Sequence, residues 1–71
     1  MFIGLKGVKG ARLIFNVDHI RAFQEITSES KYAEYLASGA KTMVQLDDKL
    51  VPVKETIIQV KNILNHLGGN S

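Results

Sequence analysis

Thr56-Ile57-Ile58-Gln59-Val60-Lys61-Asn62-Ile63-Leu64-Asn65-His66-Leu67-Gly68-Gly69 is the stretch whose reading decides the architecture of this chain. Ile57, Val60, Ile63, Leu64 and Leu67 recur at the helical period and form one apolar stripe. Thr56 and Gln59 have the spacing of a capping box, in which the threonine oxygen accepts from the N–H of Gln59 and the glutamine reaches back. Gly68-Gly69 supplies the stop, and the residues through Ser71 are expected to fray. Lys61 and His66 lie toward the C-terminal half, where positive charge suits the helix dipole. A helix with one apolar face must rest on another layer, and the rest of the chain offers strands.

Working upstream, residues 50–53 read as a short strand. Pro52 cannot donate to a ladder, so this strand is expected at an edge or with its proline facing one. Asp47-Asp48-Lys49 is a hairpin loop. Residues 41–46 precede it as a strand, with Thr42, Val44 and Leu46 alternating against Met43 and Gln45. At the other end, residues 2–8 place Ile3 and Leu5 on one face and Phe2, Lys6 and Val8 on the other. Gly7-Val8-Lys9-Gly10 is a turn, since its glycines take positive φ without strain. Residues 11–17 return with Leu13, Phe15 and Val17 on one face and Arg12, Ile14 and Asn16 on the other. Both faces carry apolar residues, so both are expected to be partly covered. Asn16-Val17-Asp18-His19 forms a tight corner, because Asn and Asp side chains bond the backbone ahead of them. Residues 20–26 form a third strand, with Ile20, Ala22 and Ile26 on one side and Phe23 on the other.

Residues 27–40 are the least patterned. Tyr32, Tyr35 and Leu36 lie at i, i+3 and i+4 ahead of Gly39, a spacing that permits a short helix over 29–38; an ordered loop or a flap is the alternative. The expected fold is α+β over one domain, residues 1–71. It has a small antiparallel β-sheet of about five strands with one C-terminal amphipathic helix.

With 71 residues and no cysteine, the chain has a small core and no disulfide or thiolate metal site to support it. One core of this size yields about 3–5 kcal/mol. Homo-oligomerisation is the expected supplement. The apolar share of 45% is that of a globular domain. No apolar run approaches the roughly 18 residues that span a bilayer, and the glycine- and lysine-broken start is no signal peptide. A cytoplasmic location without membrane contact is expected.

Net charge is only +2, but it is unevenly placed. Through Arg21 the chain carries Lys6, Lys9, Arg12 and Arg21 against Asp18 alone. These four are the candidate phosphate or ligand contacts. The run Gly4-Leu5-Lys6-Gly7-Val8-Lys9-Gly10 sets backbone N–H groups beside lysines, although no helix follows it as in phosphate loops. Phe23, Tyr32, Tyr35 and Leu36 are the candidate interface or stacking residues. Catalytic chemistry is thinly represented. Asp47-Asp48 falls in an exposed turn, Glu25, Glu29 and Glu34 are spread out, and adjacent Asp18 and His19 on a corner point apart. There is no phosphate-loop, dinucleotide or metal-ligand motif. The expectation is a non-enzyme with no cofactor and no metal.

The order of these pieces resembles the small FlbD/SwrD-type family linked to flagella and swarming. Members run as a strand ending near a glycine, an Asn followed closely by Ile, a hairpin, then Val-x-Glu-Ser/Thr leading into a helix. The matching residues are Leu5, Gly10, Asn16 and Ile20, then Thr42, Val44 and Leu46, then Val53, Glu55, Thr56, Val60 and Ile63. Residues 27–40 depart from the pattern, which has a short hairpin there. Asp47-Asp48-Lys49 stands where the family favours Asn-Gly or Gly-Lys. Small phage and prophage proteins share the same pattern. The resemblance implies an accessory, protein-binding role and carries over no catalytic residue.

Three functions follow as expectations. The first is a homo-oligomeric binding, assembly or regulatory protein with a protein partner, of the FlbD/SwrD-like kind. The second is a phage or mobile-element anti-defence protein that sequesters a nucleotide immune signal. There Lys6, Lys9, Arg12 and Arg21 would meet phosphates, and a tyrosine would stack on a base. The third is nucleic-acid binding through the basic N-terminal hairpin.

Overall fold

A computed structural model describes residues 1–67. The expected helix stop at Gly68-Gly69 and the tail behind it lie outside the described residues. The elements run β1 (Phe2–Lys6), β2 (Arg12–Asn16), a 3-10 turn (Val17–His19), β3 (Ile20–Glu25), a 3-10 helix (Ala33–Ser38), β4 (Thr42–Leu46), β5 (Leu50–Val53) and α1 (Ile57–Leu67). The fold is α+β, with an antiparallel β1–β2 hairpin, a three-stranded antiparallel sheet ordered β3-β4-β5, and one C-terminal helix. Gly7 bridges Val53, and the Lys54 N–H donates to the Lys6 carbonyl at 2.8 Å. The two sheets are therefore joined where β1 meets the end of β5.

The main core lies between these layers. Ile3, Leu5 and Phe15 come from the hairpin, Val44 and Val53 from the three-stranded sheet, and Val60 from α1. Gly7 is buried at the crossing, where a Cβ would stand 3.0 Å from Leu13 Cδ1. Gly10, at φ 89°, closes the hairpin turn in a conformation that favours glycine. Thr56 and Gln59 form the reciprocal cap: the Gln59 N–H donates to Thr56 Oγ1 at 3.1 Å, and the Thr56 N–H donates to Gln59 Oε1 at 2.8 Å. Along α1, Val60 is buried, Ile57, Ile63 and Leu64 are half-buried, and Leu67 is exposed. Among the described residues no helix is long and apolar enough to cross a membrane.

One sequence expectation needs correction. The phase of β3 shifts at a bulge between Ile20 and Ala22. One extra residue re-aims every side chain beyond it. Ile20 and Phe23 therefore both pack on the main core, Ala22 is exposed, and Ile26 joins a second cluster. Of the alternatives open for residues 27–40, the short helix permitted over 29–38 is the one present, as a 3-10 helix at Ala33–Ser38 ended by Gly39 at φ 92°. Its Tyr35, Leu36 and preceding Tyr32 pack on Ile26, Ala40 and Met43, so this segment covers the second face of the three-stranded sheet.

Candidate functional site

The register of the β1–β2 hairpin pairs Phe2 with Asn16, Gly4 with Ile14, and Lys6 with Arg12. Directly opposed residues share a face, so these six form the outer surface of the hairpin. Ile3, Leu5 and Phe15 face inward. Phe2 is 64% exposed and Ile14 is 65% exposed, although both lie on paired strands. Gly4 sits between them. A Cβ there would stand 3.2 Å from an Arg12 guanidinium nitrogen and 3.5 Å from Ile14 Cδ1, so both side chains fold across the glycine. The surface is thus apolar at one end and cationic at the other. Lys9 extends the cationic end from the turn.

Arg21, the fourth candidate cation, lies elsewhere. Its Nε donates to Asp47 Oδ1 at 3.0 Å, and His19 Nδ1 lies 3.3 Å from Asp47 Oδ2. The hydrogen bond from His19, and then that from Arg21, hold the exposed Asp47 carboxyl below its usual range. β5 runs from Leu50, beside this turn, to Val53, beside Gly7, so Arg21 and the hairpin cations stand at opposite ends of that strand. The four cations named from sequence do not converge within one chain. The partner of His19 is Asp47 rather than the adjacent Asp18, whose N–H is taken by Asn16 Oδ1 at 3.0 Å.

The proposed anchors are also used internally. Phe23 is half-buried against the main core. Tyr32, Tyr35 and Leu36 are half-buried over the second cluster, against Ile26, Ala40 and Met43. Lys31 Nζ stands 5.4 Å from the Tyr32 ring centroid, within cation–π range. Between Tyr32 and the β4–β5 turn lies an open, mostly polar depression of about 540 Å³, lined among others by Gln24, Lys31, Gln45, Asp47 and Lys49. Among the described residues no three metal-capable side chains cluster.

Sequence reasoning missed two features of this region. The Glu55 carboxylate receives the Lys6 N–H through both oxygens, at 2.9 and 3.0 Å, and so takes up the outer edge of β1. The exposure of Ile14 was hidden because alternation marks both faces of β2 as apolar; its neighbours Arg12 and Asn16 were the available signal. No family model, curated protein or solved structure matches the chain. Chemically, the hairpin surface offers apolar contact area and positive charge.

Proposed function

We propose that the chain is a non-catalytic binding or assembly module that works as a homo-oligomer, with the first hairpin as its working surface. The observation that carries this reading is the pair Phe2 and Ile14, held out to solvent on ordered strands while Ile3, Leu5, Leu13 and Phe15 of the same strands turn inward. Adjacent exposed apolar side chains rimmed by polar residues mark interaction surfaces. Native mass spectrometry of the whole chain purified from its host tests this. Oligomers are expected, and a monomer at all concentrations contradicts it.

Within that class, the particular role we infer is an accessory one in flagellar assembly or swarming, after the FlbD/SwrD-type resemblance. What supports it is the place of the matching residues. Gly10 closes the hairpin, Asn16 caps the corner, Thr42 bonds the Glu55 carbonyl, and Thr56 starts the helix. Leu5, Val44, Val53 and Val60 fill the core. The positions that carry the resemblance are thus fold-building ones, and residues 32–36, within the stretch that departs from it, cover the second face of the three-stranded sheet. Deletion of the gene in its host should impair swarming; unchanged motility contradicts this role.

A second reading, a phosphate-bearing ligand at the hairpin, is favoured by the cross-strand pair Lys6 and Arg12 with Lys9 beside it. It predicts a thermal shift with nucleotides at low salt, removed by Lys9→Glu with Arg12→Glu. No shift across a nucleotide panel contradicts it.

A further inference from the structure

The strand edges of this molecule are treated differently. At Lys6, β1 is covered by Lys54 and Glu55. β3 carries the bulge between Ile20 and Ala22 and has α1 packed beside it. β5 carries Pro52, which has no N–H to offer. β2 has none of these blunting devices, and among the described residues no strand but β1 pairs with it.

The direction of the β2 main chain follows from the ladder. The Gly7 N–H donates to the Ala11 carbonyl and the Val17 N–H to the Met1 carbonyl, both at 2.9 Å. Hydrogen-bonded and non-bonded pairs alternate in an antiparallel ladder. Ile3 with Phe15 and Leu5 with Leu13 are therefore the bonded pairs. Phe2 with Asn16, Gly4 with Ile14, and Lys6 with Arg12 turn their main-chain groups away from the hairpin. The Lys6 N–H, which leaves β1 for Glu55, follows this rule. Arg12 and Ile14 accordingly present N–H and C=O groups along the free edge of β2, and Asn16 presents its N–H, its C=O being turned into the Val17–His19 3-10 turn that it caps. A hollow of about 300 Å³ lies beside Ile14, lined also by Leu13, Phe15, Leu46, Lys49 and Val51.

We propose that two copies of the chain pair antiparallel along β2 about a two-fold axis at Ile14. The proposal rests on the self-association proposed above and names its interface. A register centred on Ile14 uses all three outward-facing residues. It sets Ile14 against the second copy's Ile14 and Arg12 against the second copy's Asn16. Cation thus meets a neutral amide and no like charges are opposed, whereas opposed like charges destabilise a strand pair. Pairing joins the two hairpins into one four-stranded sheet. Its outer face carries Phe2 and Ile14 of both copies, which doubles the apolar docking surface.

Sedimentation equilibrium on the whole chain and three variants tests this. Ile14→Pro removes an outward donor and no bond to β1. Ile14→Lys opposes two charges on the axis. Asn16→Asp sets a carboxylate against each Arg12 and keeps an oxygen for the Asp18 N–H. The wild type is expected to be dimeric, both Ile14 variants monomeric with an unchanged far-ultraviolet spectrum, and Asn16→Asp about fivefold tighter at low salt. If Ile14→Pro misfolds, Ile14→Lys decides. Dimers that persist in a folded Ile14→Lys variant overturn the β2 interface and leave self-association standing. A monomeric wild type overturns both, including the case where a foreign strand occupies the edge.

Discussion

At the scale of single residues, the junction of the two sheets depends on Thr42 and Glu55. Thr42 is fully buried, and its hydroxyl donates to the Glu55 carbonyl at 2.7 Å. That bond holds the segment whose carboxylate takes the Lys6 N–H. Thr42→Val keeps the shape but removes the bond and leaves a carbonyl unpaired, so it should lower stability by about 1–2 kcal/mol in urea denaturation. Alternation placed Thr42 on a strand, but a partner 13 positions away is set by how the chain folds back and has no local signature. Asp47 gives a pH prediction. Its pKa lies below the ordinary 3.8 in the folded state. The stabilisation linked to it is complete above the unfolded pKa and fades as pH falls through the folded one. A carbon-detected NMR titration should place its midpoint below the ordinary value, and His19→Ala should move it back up. An unmoved midpoint would show that His19 is not the main cause.

At the scale of elements, α1 was legible because its stripe and cap are local. Thr56 and Gln59 meet as their spacing requires. β3 was legible as a strand but not in phase, since the bulge near Arg21 answers to its pairing with β4. The Ala33–Ser38 segment was legible as helical spacing only. Two turns are too few to sustain a helix alone, and what orders them is contact with Ile26, Ala40 and Met43. Gly39 ends that element at φ 92°, where a Cβ is strained but meets nothing closer than Lys54 Cε at 3.6 Å. Gly39→Ala should therefore cost about 1 kcal/mol in thermal unfolding, all of it from backbone conformation. A neutral result would mean that the segment re-forms without its left-handed end.

At the scale of the whole molecule, the three-stranded sheet is covered on both faces, by the hairpin and α1 on one and by residues 32–36 on the other. Among the described residues, only the first hairpin keeps an uncovered outer face together with an unblunted edge. That combination could not be read from sequence, because apolar alternation does not say which face finds cover inside the same chain. The candidate residues divided accordingly. Lys6, Lys9 and Arg12 stayed together on the hairpin, Arg21 went to Asp47, and Phe23, Tyr32, Tyr35 and Leu36 went into packing. The most direct test of the hairpin as the association surface is amide hydrogen exchange on the whole chain across a concentration series. The account predicts that exchange slows with concentration at Arg12, Ile14 and Asn16, while α1 and Ala33–Ser38 keep their rates. Rates independent of concentration throughout, or protection that grows on α1 or β3 instead, would contradict it.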